Sequence, residues 1–227
     1  PDSRGVAMNH PFDKPAPLFT SSRIQIGFKV ATINGLLHAL WNSGLLTFDA
    51  GALLPPEVSV LFQGLQLDGQ MPPHLTPARS DTAGYAFVLT LGQLEMILTM
   101  REKQDRVAVN VTVGANIDVV DGALSLTLAP EPIVKSWMVE QLGPTPIFED
   151  ASALESVFVA AVWPRVTEQL GEGLTIALPE IDLSSLGEMM PGVASLALQL
   201  ALDRPIAIRE GFFVLDGGLD GIATFSE

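Results

Sequence analysis

Residues 85–100 read YAFVLTLGQLEMILTM, and the spacing of their apolar side chains decides the fold class. Tyr85, Phe87, Leu89 and Leu91 occupy odd positions, whereas Leu94, Met96, Leu98 and Met100 occupy even ones. A strand shows one face at every second residue, so a change of parity at Gly92-Gln93 predicts one extra residue inside a single long strand, a β-bulge. Val107, Val109, Val111, Val113, Ala115, Ile117 and Val119 form a second, unusually long alternating run. Asp121-Gly122 supplies turn chemistry, and Leu124, Leu126 and Leu128 return as the partner of a hairpin. Strands of ten or more residues exceed the usual five or six, and long, bent strands suit a curved sheet.

Working outward, Ile33, Leu36, Leu37, Leu40 and Trp41 recur at helical spacing, with Asn34, His38 and Asn42 on the other face and Gly44 as the stop. A second helix is expected from about Asp150, with Ser152 and Glu155 at capping-box spacing. Its body from Leu154 to Val162 is apolar almost all round, which predicts burial; Pro164 kinks or restarts it before Val166 and Leu170. Leu196, Leu198, Leu200 and Leu202 alternate as a strand, and Ile206, Ile208, Phe213 and Leu215 close a final hairpin around Arg204-Pro205. Sequential strands with short turns imply a mainly antiparallel sheet, so the fold class is α+β. Pro1, Pro11, Pro15 and Pro17 mark residues 1–22 as an extended arm or linker, leaving residues 23–227 as one domain.

Composition narrows the function. The chain has 227 residues, 48% of them hydrophobic, with a mean hydropathy of +0.35. No apolar stretch reaches the ~20 residues of a membrane helix, so the excess belongs to a core or a cavity for apolar cargo. Asp and Glu number 26 against 12 Lys and Arg, a net charge of −14 that disfavours nucleic acid and anionic lipid surfaces. With no cysteine, thiolate metal sites, thiol catalysis and disulfides are excluded. The 3 histidines are scattered, and neither Gly-x-Ser-x-Gly nor His-Glu-x-x-His occurs, so no enzyme, metal site or cofactor is expected. Asp216-Gly217-Gly218-Leu219-Asp220-Gly221 reads as a plain loop rather than a calcium turn, and Asn110-Val111-Thr112, a sequon, falls inside a strand pattern.

Three segments carry a resemblance. Trp163-Pro164-Arg165-Val166-Thr167-Glu168-Gln169-Leu170-Gly171-Glu172-Gly173, followed by Leu178-Pro179, resembles the long-helix segment in the C-terminal half of the bactericidal/permeability-increasing protein and its relatives, the tubular lipid-binding (TULIP) family. Ile33 to Leu46 is similar to that half's opening helix and following strand, and Pro72-Pro73-His74-Leu75 to the run into one of its strands. The resemblance spans roughly Ile24 to Gly218. It implies a highly curved, barrel-like antiparallel sheet wrapped around a long helix, with a second short helix.

It also implies lipid carriage or transfer, an extracytoplasmic location (periplasmic or secreted), and pairing with an upstream half-domain. The basic patch of antibacterial members belongs to that other half, so direct endotoxin binding is not expected of this acidic chain. A cavity between helices and sheet would be lined by Leu37, Leu40 and Trp41, by Phe158, Val162 and Val166, and by Phe87, Leu89, Met96, Leu98 and Met100. At about 0.8 kcal/mol per buried CH2, a sixteen-carbon chain contributes on the order of 12 kcal/mol before ordering costs, without any ionic contact. Core packing is the alternative role for each of these residues. Two other readings are a structural half supporting an upstream lipid-binding domain, and an esterase, against which the missing nucleophile motif counts.

Overall fold

A computed structural model describes residues 24–51, 63–78, 84–120, 123–147, 152–173, 176–177, 181–182, 193–202, 207–209 and 212–225. The expected arm at residues 1–22, the turns at Asp121-Gly122 and Arg204-Pro205, and the Leu178-Pro179 pair that follows the long-helix run lie outside these residues. The chain folds as two compact units.

The first unit comprises residues 31–116 and 126–174 among those described. Its sheet has the strand order β2 (Thr47–Asp49), β3 (Gly64–Gly69), β5 (Phe87–Met100) and β6 (Lys103–Val120), with β4 (His74–Pro77) beside β5 and β8 (Ile133–Gln141) beside β6. Every described pairing is antiparallel. The bulge falls where the change of parity placed it. Leu91 pairs with Val111 and Leu94 with Val109, so Gly92 and Gln93 together oppose Asn110. Consequently Phe87, Leu89 and Leu91 share a buried face with Leu94, Met96 and Leu98, which an unbroken strand would put on the opposite side. On β6, Val107, Val109, Val111, Val113, Ala115 and Ile117 are all buried, as their alternation predicts.

Helix α1 (Val30–Asn42) ends in a Schellman motif. Leu45 N–H donates to Leu40 C=O at 3.1 Å and Gly44 N–H to Trp41 C=O at 3.0 Å, with Gly44 at φ +94°. Its buried stripe is Ile33, Leu37 and Trp41; Leu36 is 38% exposed, so the predicted apolar face is rotated. Asn34, assigned from sequence to the polar face, is buried instead and bonded to β4.

The second helical segment runs as α2 (Ala153–Val157), a π-helical stretch (Phe158–Val162) and α3 (Trp163–Gly173). Proline has no N–H and its ring crowds the carbonyl four residues back, and a π turn just before Pro164 relieves both problems without ending the helix. Trp163 N–H accordingly donates to Phe158 C=O, five residues earlier. The capping box does not form. Ser152 sits in helical geometry with no side-chain cap bond, and Glu155 turns away to β8. Nor is the body buried all round, since Leu154, Phe158, Ala161 and Val162 are buried while Ala160 is exposed.

The second unit comprises residues 24–30, 117–125 and 175–227 among those described. It holds a strand that sequence reading missed, β1 (Ile24–Lys29), paired along its length with β13 (Phe212–Phe225). Phe28 stacks on Phe213 with ring centroids 5.1 Å apart. β13 also pairs with β11 (Val193–Leu202) and β12 (Ala207–Arg209), and β11 with β10 (Ile181–Asp182). Asp216 to Gly221, expected as a loop, is interior to β13: Asp216 pairs with Gln25 on β1, and Gly217 to Gly221 pair with β11. β7 (Ala123–Leu128), which follows β6 in the larger sheet, pairs with β9 (Ile176–Ala177).

The α+β, mostly antiparallel reading therefore stands, with one correction. Among the described residues neither sheet closes: the path from β2 to β9 has two ends, as does that from β1 to β10, so neither is a barrel.

Candidate functional site

The candidate lining residues all belong to the first unit, on three elements fastened by polar contacts. On α1, Leu37 and Trp41 are fully buried and Leu40 is half-buried. Two side chains tie this helix to the sheet. Asn34 Nδ2 donates to Leu75 C=O at 3.0 Å while its Oδ1 accepts from Leu75 N–H at 2.7 Å, satisfying both backbone groups of one β4 residue. Trp41 Nε1 donates to Gly69 C=O on β3 at 2.6 Å. Gly69 allows that approach, since a Cβ there would lie 2.9 Å from Leu46 Cβ and 3.4 Å from Trp41 Cδ1.

On β5, Phe87, Leu89, Met96 and Leu98 are buried on the inner face, and Met100 is half-buried at its end. On the helix, Phe158, Val162 and Val166 recur every fourth residue and are buried. Glu155 fixes this helix to edge strand β8, its Oε1 accepting from Ser136 N–H at 3.1 Å. A carboxylate on an outward-facing strand N–H also blunts an edge that another chain could extend. Except for Leu40 and Met100, the expected lining residues are buried.

Pockets lie at the margins of this core. One of about 280 Å3 is lined by Leu126, Leu128, Ala129, Pro130, Trp163, Pro164 and Thr167. Trp163 is buried, and its indole N–H has no hydrogen-bond partner among the described residues. Another of about 580 Å3 is lined by Gln63, Met100, Arg101, Glu102, Lys103, Pro144 and Thr145. Only Met100 among these residues was expected from sequence. Trp163 stood in a recognised run, but the pocket beside it also needs Leu126 and Leu128, brought in from β7. Arg101 and Lys103 carried a faint signal, two cations flanking a hairpin turn in an acidic chain.

A third pocket, of about 520 Å3, carries Asp49, Asp68 and Glu95 beside Arg106. No group of three or more His, Asp or Glu side chains among the described residues is placed to hold a metal ion. No helix among them is long and apolar enough to cross a membrane.

Comparison with known proteins is sparse. No protein-family model matches the chain, and no curated protein matches it. Among solved structures it is similar to one described as the crystal structure of lipopolysaccharide binding protein, at 15% identity and a TM-score of 0.36. The match covers 76% of this chain and 36% of that one, so the chain corresponds to little more than a third of that protein's length.

Proposed function

We propose that this chain holds an apolar ligand, a lipid or acyl chain, between its helices and the inner face of the larger sheet, for carriage or transfer. The observation that carries the reading is the inner face itself. The bulge at Gly92-Gln93 keeps one continuous apolar surface along the 14 residues of β5, and Leu37, Trp41, Phe158, Val162 and Val166 supply buried apolar stripes on the helices. Binding there rests on desolvation, with methionine at positions 96 and 100 able to adapt to varied chains. The TULIP-like motifs support the same reading, and with it an extracytoplasmic location, an upstream partner domain and no catalytic role.

A second reading has its own observation. Leu37, Phe87, Leu89 and Val166 are each at 0% exposure, which is what a closed core requires. In that reading the chain is a structural half that supports a ligand-binding domain elsewhere.

Native mass spectrometry with organic extraction of the purified chain separates the two. Co-purifying lipid near one equivalent, lost on Leu40→Asp while circular dichroism is unchanged, supports the carrier. An apo mass with no uptake of added phospholipid or fatty acid supports the structural half.

A further inference from the structure

We propose that the pocket at the β5–β6 hairpin is an oxyanion site for the head of an amphiphile, with Arg101 and Lys103 taking a carboxylate or phosphate and Met100 meeting the first carbons of its chain. The inference rests on the lipid reading above for the amphiphile, but the anion recognition stands without it.

Arg101 stands at φ +56° in the turn joining Met100 to its pair Lys103. Glycine adopts that geometry without strain, whereas an arginine there crowds its own Cβ. Strain at a non-glycine residue that lines a pocket is a pointer to a role for its side chain. Lys103, two residues on, lines the same pocket, although the chain has only 12 cationic residues against 26 acidic ones.

The opposite wall is built in advance. Leu142 N–H and Gly143 N–H both donate to Gln104 C=O at 2.8 Å, and Ile147 N–H donates to the buried Asp105 Oδ2 at 2.6 Å. Lys103 Nζ donates to Pro146 C=O at 3.1 Å, which aims the ammonium while leaving its other protons available. Gly143 lies so close that a Cβ would meet Gln104 N at 2.7 Å. Gln63 is held by its N–H donating to Thr99 C=O at 2.8 Å and brings a neutral amide to the lining. Glu102 is the carboxylate in the described lining and opposes an anion, so its removal should tighten binding.

A volume of about 580 Å3 suits a small ligand, and cations beside Met100 and Pro144 select one that is charged at one end and apolar beyond it.

The test is calorimetric titration of the purified chain with decanoate, decanol and inorganic phosphate, repeated on Arg101→Gly/Lys103→Gln and on Glu102→Gln. Decanoate should bind at least about tenfold more tightly than decanol, the double variant should lose that margin, and Glu102→Gln should widen it. Arg101→Gly alone relieves the turn, so its melting temperature should rise by roughly 2–4 °C while anion affinity falls, an outcome that a purely structural arginine does not give. Phosphate binding that disappears in the double variant, with no uptake of either amphiphile, keeps the oxyanion site and removes the lipid reading. Equal affinity for decanoate and decanol, or anion binding unchanged in the double variant, overturns the proposal.

Discussion

Asn110 on β6 holds the β5 bulge open: its Oδ1 accepts from Gln93 N–H at 2.8 Å, and Gln93 is in the left-handed region at φ +47°. The extra residue that lets β5 keep one apolar face thus has its backbone donor satisfied by a side chain from the neighbouring strand. Asn110→Ala should destabilise the chain by about 0.5–1.5 kcal/mol, the usual net worth of such a bond. Gln93→Gly should stabilise it by up to about 1 kcal/mol, because glycine takes positive φ without a Cβ clash. Urea titrations with unchanged slopes check both. A stabilising Asn110→Ala would show that the bulge does not depend on this bond.

Asn34 is the polar fastening of α1. Replacing it with alanine leaves the N–H and C=O of Leu75 without partners in a buried place. At about 1–3 kcal/mol for each orphaned group, Asn34→Ala should cost on the order of 2–5 kcal/mol in chemical denaturation. Asn34→Asp keeps the acceptor but loses the donor and should be destabilising too, despite its similar shape.

Gly69 and Trp41 form a second fastening that tests packing. Gly69→Ala puts a methyl group 2.9 Å from Leu46 Cβ, a backbone-proximal atom that cannot swing away. The expected loss is about 1–3 kcal/mol, typical of overpacking. It should be accompanied by a shift in tryptophan fluorescence as the indole moves off the Gly69 carbonyl. No change in either quantity would mean that Leu46 and Trp41 are less tightly seated than the structure has them.

Tyr85, the single tyrosine of the chain, covers Gly114 on β6. A Cβ at Gly114 would lie 2.5 Å from the tyrosine ring. Gly114→Ala should therefore cost roughly 1–3 kcal/mol alone but much less in a Tyr85→Ala background. A double-mutant cycle by thermal melting reads the coupling, and additive effects would separate the two residues.

Strand character, antiparallel pairing and the bulge were legible from spacing alone. Period-2 alternation records which side of a strand faces the core, and a single inserted residue must invert it, so residues 85–120 carry their own register. The helical segments were legible as helices, and Gly44 as a terminus, because a left-handed position selects glycine locally. What spacing could not assign was whatever depends on a partner distant in sequence. Asn34 looks solvent-facing until β4 brings Leu75 to it, 41 residues away. Glu155 has capping-box spacing, yet Ser136 on an adjacent strand edge takes its carboxylate instead. β1 carried too short a pattern to stand out, and it is a strand because Phe212 to Gly217 line up against it. Asp216 to Gly221 has the composition of a loop and is held extended by β1 and β11. The same division holds for the site. Sequence picked out apolar residues that are buried, since burial follows hydrophobicity. The pocket joining Met100 and Lys103 to Pro144 and Thr145 exists only because the start of β6 and the segment after β8 are hydrogen-bonded side by side, and such bonds are fixed by three-dimensional proximity rather than by sequence pattern.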